Sequence, residues 1–164
     1  MQGNALKNSA SDAPAQSLGF AVRLAHRAFD RALQRRIAPH GISTSQWYCL
    51  RALWEVDALT QRQLSRATGV AENTITVTVA SMVRDGLVTR TRSSEDKRRQ
   101  VIALTPQARA LKAQLLPRAQ EVNALAALDL DEADRARLLA ALAAMTGRLL
   151  ADEPEADGAA PLCG

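Results

Sequence analysis

The sequence predicts a mainly α fold: a winged helix-turn-helix with a two-stranded β wing, set between long N- and C-terminal helices. Three observations lead there. Ala and Leu, both strong helix formers, are abundant in a chain that is 47% hydrophobic but only 3% aromatic. Apolar residues recur at helical spacing over most of its length. Between Leu87 and Leu104, two β-like runs flank a charged turn. At 164 residues the chain is long enough for one domain with a real core and too short for two large ones.

Residues 1–16 are polar and small and read as a flexible arm. They lack the basic-then-apolar order of a secretion signal, and no apolar run approaches the ~20 residues that cross a bilayer, so the expected location is cytoplasmic with no membrane partner. From Ser17, the residues Leu18, Ala21, Val22, Ala25, Phe29 and Leu33 fall on one helical stripe, which Pro39 and Gly41 end. Ser43 to Ser45 can cap a second helix, from Gln46 to about Val56, whose apolar side includes Trp47, Leu50, Leu53 and Trp54.

Thr60-Gln61-Arg62-Gln63 is a capping box that opens a short helix through Thr68, with Gly69 supplying a tight turn. A further helix is expected from about Glu72 to Asp85, with Gly86 as its stop. Within it, Thr74 to Val79 alternates polar and β-branched apolar residues, the pattern of a strand. Helix is favoured because Ile75, Val79, Met82 and Val83 also share one helical face, and no turn signal intervenes before Gly86. Leu87–Arg92 and Arg99–Leu104 read as the strands of the wing, and Ser93–Asp96 as its turn. Thr105 and Pro106 suit the N-cap and first position of a long helix to about Leu128, bent or broken near Pro117. Asp131 caps a last helix to about Leu150, and residues 152–164 read as a disordered tail.

Charge locates the functional segment. Between Thr60 and Thr105 stand eight cations (Arg62, Arg66, Arg84, Arg90, Arg92, Lys97, Arg98 and Arg99) and four anions, an excess equal to the +4 of the whole chain. A basic segment on a neutral scaffold is what phosphate binding requires. Leu64, Val70 and Ile75 around Gly69 can pin two short helices at a fixed angle. Asn73, Thr76, Val77, Ala80 and Arg84 then point outward, a face suited to a DNA major groove about 12 Å wide. Asn73 can pair with adenine edges, Val77 and the threonine methyls can meet thymine methyls, and Arg84 can meet a phosphate. At the wing tip, Lys97, Arg98 and Arg99 suit the sugar-phosphate backbone or a narrow minor groove, with Asp96 orienting Arg98. Thr60, Gln61, Thr74 and Arg92 complete the candidate DNA-binding set.

Other chemistries are poorly served. His26, His40, Cys49 and Cys163 have no metal-ligand spacing, no glycine-rich phosphate loop is present, and no nucleophile stands beside a recognisable base. No enzyme and no cofactor are expected. Two alternatives to a ligand-responsive regulator remain at this point: a thiol-based redox regulator using Cys49, and a winged helix that binds only protein.

From about Ser17 to Leu150 the chain resembles the MarR family of bacterial transcription regulators. The resemblance rests on Leu-Thr-Gln-Arg-Gln-Leu at 59–64, Thr-Ile-Thr at 74–76, Arg-Asp-Gly-Leu-Val at 84–88, Asp-Lys-Arg at 96–98 and Ala-Leu-Thr-Pro at 103–106. It implies a single domain over residues 17–151. Within that domain the winged helix-turn-helix spans about 46–105, and dimerisation helices span about 17–38 and 106–150. It implies a homodimer on a pseudo-palindromic operator of double-stranded DNA, more often a repressor than an activator. The family commonly carries Arg where Val77 stands and often Asp where Ser93 stands. The resemblance also implies an effector pocket between the dimer helices and the DNA-binding lobe. Trp47, Tyr48 and Arg51 are its expected lining, joined by His26 and His40, and a small aromatic carboxylate or phenol is its expected occupant.

Overall fold

The structure is a computed structural model and describes residues 17–92 and 100–152. The described residues divide into two units, one ending at Val122 and the other starting at Asn123. The first carries four complete helices, the two strands and most of a fifth helix. Helix α1 (Leu18–Ile37) starts where Ser17 Oγ accepts from the Phe20 N–H, and a 3₁₀ turn at Ala38–His40 ends at Gly41. Helix α2 (Thr44–Glu55) and helix α3 (Gln61–Thr68) each open on a complete capping box, Ser43 with Gln46 and Thr60 with Gln63. In such a box two orphan N–H groups are satisfied reciprocally, so the start of each helix is fixed locally.

Helix α4 (Glu72–Arg84) settles the ambiguity of the Thr/Val alternation. A strand would have put Ile75, Val77 and Val79 on one side. Instead Ile75 and Val79 are buried with Met82, while Val77 is 71% exposed, the outcome of a 3.6-residue period. Val83, expected on the buried face, is exposed, because the helix turns the position after Met82 away from the core.

Strands β1 (Val88–Arg92) and β2 (Gln100–Leu104) pair antiparallel with Val88 opposite Leu104 and Arg92 opposite Gln100. The wing is rooted by a third segment: the Ile102 N–H donates to the Leu59 carbonyl at 2.7 Å, an isolated bridge beside the two-stranded sheet. Thr105 Oγ1 caps helix α5 (Pro106–Ala126) at the Ala108 N–H. Helix α5 runs without a break through Pro117.

The core of this unit joins all these elements. Leu33 and Ile37 of α1, Leu50 and Leu53 of α2, Leu64 of α3, Ile75, Val79 and Met82 of α4, Val88, Ile102 and Leu104 of the wing, and Leu115 of α5 form one buried cluster. Removing a fully buried leucine such as Leu64 from such a core costs about 2–5 kcal/mol. Trp47 belongs here too, packed edge-on against Trp54 with ring centroids 5.6 Å apart.

The second unit contains helix α6 (Glu132–Ala151), capped by Asp131 Oδ1 on the Asp134 N–H. None of its residues is buried, although Leu138, Leu139, Leu149 and Leu150 lie along it. Among the described residues, no helix is long and apolar enough to cross a membrane.

Candidate nucleic-acid interface

Two short helices and a tight turn position the face. Leu64 and Ile75 are fully buried and Val70 packs partly against them, which fixes α4 on α3. Gly69 closes α3 at φ +67°, a left-handed conformation that side-chain-bearing residues rarely adopt. Ser65 Oγ donates to the Val70 carbonyl at 2.6 Å and stitches the turn from the α3 side.

This geometry brings the expected reading residues together. Asn73, Thr74, Thr76, Val77, Ala80 and Arg84 are all exposed on α4. Gln61, from the first turn of α3, donates from Nε2 to Thr76 Oγ1 at 2.9 Å, and Thr76 Oγ1 in turn donates to the Glu72 carbonyl at 2.9 Å. Arg62 and Arg66 on α3, Arg84 on α4, and Arg90 and Arg92 on β1 are exposed. Thr60, by contrast, is committed to its capping box. The wing-tip residues Asp96, Lys97, Arg98 and Arg99, with Ser93, lie outside the described residues.

The far end of α4 is held by a network that the sequence reading missed. Gln46, buried in the first turn of α2, donates from Nε2 to Ser81 Oγ at 2.9 Å and to Asp85 Oδ2 at 2.7 Å. Asp85 also meets Arg84 Nε at 3.4 Å. The wing base is held by Asp57, whose Oδ1 accepts the N–H groups of Ala58 and Leu104 and whose Oδ2 pairs with Arg109 at 2.5 Å. Burial alone would raise the Asp57 pKa, but these hydrogen bonds and the Arg109 charge outweigh it and hold the carboxyl below its usual range.

A cleft of about 420 Å³ lies beside this apparatus. His26 and Asp30 of α1 and Thr44, Ser45 and Tyr48 of α2 form one side, while Thr68, Gly69, Val70 and Thr74 form the other. Tyr48 donates its hydroxyl to Asp30 Oδ1 at 2.7 Å, and His26 Nε2 lies 3.4 Å from Asp30 Oδ2. Burial, reinforced by the Asp30 carboxylate, pushes the Tyr48 phenol well above its ordinary pKa, so it stays a neutral donor.

Three of the expected lining residues are elsewhere. Trp47 is only 4% exposed and fills the core, since residues adjacent on a helix point about 100° apart and Tyr48 takes the cleft side. Arg51 is turned along α2 to pair with Glu55, and that hydrogen bond is the main cause lowering the Glu55 pKa. His40 sits in the 3₁₀ turn and does not line the cleft. Asp30, Thr44, Ser45 and Thr74 line it instead, and only the tertiary arrangement identifies them. Cys49 is buried, and burial pushes its thiol up to about 11, which suits a core residue rather than a redox sensor.

Comparison with known proteins decides the family. A model described as MarR family matches residues 40–99. Over 132 residues the chain is 32% identical to the HTH-type transcriptional regulator TtmR of Methylorubrum extorquens (strain PA1), an alignment covering 80% of this chain and 67% of that protein. This chain belongs to the MarR family. As a MarR family member it is a DNA-binding transcriptional regulator and not an enzyme. Solved structures agree on the fold. A MarR transcriptional regulator from Methanosarcina mazei Go1 matches with a TM-score of 0.75 at 24% identity, covering 83% of this chain and 91% of that one. Bordetella bronchiseptica BpsR, whose DNA binding is regulated by 6-hydroxynicotinic acid, matches with a TM-score of 0.73 at 21% identity, covering 85% and 96%.

Proposed function

We propose that this protein is a ligand-responsive repressor that grips a pseudo-palindromic operator as a homodimer and releases it when a small phenolic compound enters the cleft. The observation that carries ligand response is the cleft's double border. One side belongs to α1 and α2, the other to the turn and first residues of the α3–α4 pair. An occupant there pushes directly on the element that sets the angle of α4.

In this reading Asn73, Thr74, Thr76 and Val77 enter the major groove with Gln61 and Thr60 at its edge. Arg84, Arg92 and the wing-tip Lys97, Arg98 and Arg99 meet the sugar-phosphate backbone, and Asp96 orients Arg98. Two-fold symmetry then requires half-sites about one helical turn apart. Support for the homodimer comes from the exposed apolar residues of α1 (Phe20, Val22, Leu24 and Phe29) and from the unburied leucines of α6.

The cleft's chemistry favours a phenol over a carboxylate. Among the described residues its lining includes the Asp30 acceptor, with His26 beside it, and no arginine or lysine, so an aryl carboxylate would meet the like charge of Asp30 while a phenol can donate to it. That BpsR answers to a hydroxylated aromatic acid is a precedent for a small ring acting on this fold.

The test uses a duplex selected from a random pool. Wild type should bind it with steep salt dependence, and Arg98→Ala should flatten the log-log slope by about 0.9, one phosphate's worth. In isothermal titration, simple phenols should give heat and release the duplex, aryl carboxylates should do neither, and Asp30→Asn should weaken the phenol response. Absence of heat from every phenol, with DNA affinity unchanged, would sink the effector reading.

A further inference from the structure

We propose that α4 reads the 5-methyl group of pyrimidines, thymine or a 5-methylcytosine in the same register, through an apolar patch made by Val77, Ala80 and the methyl of Thr76. The inference rests on the DNA-binding reading above and names what that face recognises. Val77 is 71% exposed at the centre of the helix, and the exposed Ala80 follows three positions on, on the same side. Thr76, one residue before Val77 and one turn before Ala80, has its hydroxyl engaged. Its proton goes to the Glu72 carbonyl and one of its lone pairs accepts from Gln61, each at 2.9 Å. What Thr76 offers outward is its methyl group, and Gln61 is the positioning residue that keeps it so.

An apolar patch left in water is unfavourable, and a partner that covers it lowers the free energy. Here the exposed Arg62, Arg84 and Arg90 specify that the partner is a polyanion. On the major-groove edge of a DNA base pair the C5-methyl is the apolar group, and the other positions are hydrogen-bond donors and acceptors. A methyl-rich face accompanied by exposed arginines therefore matches one feature of the groove. Asn73, whose amide makes no hydrogen bond among the described residues, is left to read a polar edge one turn earlier.

The experiment takes the tightest duplex enriched from a random pool and remakes it with deoxyuridine replacing thymidine one position at a time. Wild type should lose about fourfold in affinity at one or two positions in each half-site, the value of one buried methyl. At those positions a duplex carrying 5-methylcytosine should bind about fourfold tighter than the same duplex carrying cytosine. Val77→Ala should no longer distinguish thymine from uracil at one position. Thr76→Ser, which keeps the hydroxyl and its hydrogen bonds, should lose the distinction at the neighbouring one. Both changes are on the exposed surface, so unchanged circular dichroism should accompany them. Equal binding of thymine and uracil duplexes by wild type would overturn the inference while leaving DNA binding intact. Failure to enrich any duplex would overturn the DNA-binding reading itself, and this inference with it.

Discussion

Gln46 reaches from the first turn of α2 to Asp85 at the end of α4, its Nε2 donating to Asp85 Oδ2 at 2.7 Å. The same amide serves the start of one helix and the end of another. Its Oε1 accepts the Ser43 N–H to complete the α2 capping box, and its Nε2 also holds Ser81. Gln46 is 5% exposed, so its own amide depends on these partners, while the Asp85 carboxylate still reaches solvent. The position of α4 along its axis is thereby tied to the start of α2.

Gln46→Leu should therefore destabilise the fold by about 1–2 kcal/mol, from the lost α2 capping box and the lost bonds to Ser81 and Asp85. It should also weaken operator binding beyond what the stability loss explains, because the C-terminal end of α4 is released. Urea denaturation and duplex titration well below the unfolding midpoint separate the two effects. Unchanged DNA affinity in a measurably destabilised variant would show that the network holds the core and not the reading helix.

Asp57 gives the wing a pH dependence with a defined sign. Its folded-state pKa lies below the ordinary carboxylate value of about 3.9. A depressed pKa contributes stability that is present above the unfolded value and lost as pH falls through the folded one. Wild type should exceed Asp57→Asn in stability at neutral pH, and the gap should close in acid below about pH 4. The screened Arg109 pair adds little, so the N–H bonds to Leu104 and Ala58 are the main source. Ala58 itself stands at φ +60°, and its N–H bond to Asp57 helps hold that left-handed residue. Parallel urea curves for both proteins from pH 7 to pH 3 check this, and a gap independent of pH would contradict it.

Helix caps are legible in the sequence because they are local, and contacts between distant residues are not. Ser43, Thr60 and Asp131 announce their helices because a cap and its N–H partner lie within three residues. The Thr74–Val79 stretch satisfies two periods at once, and only the exposure of Val77 against the burial of Ile75 and Val79 separates them. Tyr48 and Trp47 are neighbours of similar character, so periodicity alone could not say which would face α1 and which the core. Asp30 with Tyr48, Gln46 with Asp85 and Asp57 with Leu104 join residues far apart in sequence. Such pairs follow from how the helices pack, and no spacing rule encodes them.

Cys49 should behave as a core residue. With a thiol pushed up to about 11, its thiolate fraction at pH 8 is on the order of one in a thousand. In a Cys163→Ser background, iodoacetamide should modify Cys49 only when urea unfolds the chain, and peroxide should leave operator affinity unchanged. Release of DNA by peroxide in that background, abolished by a further Cys49→Ser, would restore the redox alternative.

Helix α6 makes the case for a partner subunit most directly. Twenty residues form a regular helix without burying one of them. In proteins most helical stability comes from packing an apolar face rather than from propensity. Leu138, Leu139, Leu149 and Leu150 supply such a face. If a second copy covers it, folding and association are linked, and the denaturation midpoint must rise with protein concentration. Wild type should sediment as a dimer at micromolar concentration. Leu138→Glu combined with Leu139→Glu should shift it toward monomer and weaken operator binding, because the two half-sites are no longer engaged together. A monomeric wild type whose midpoint ignores concentration would leave α6 without a partner and remove the basis for a pseudo-palindromic operator.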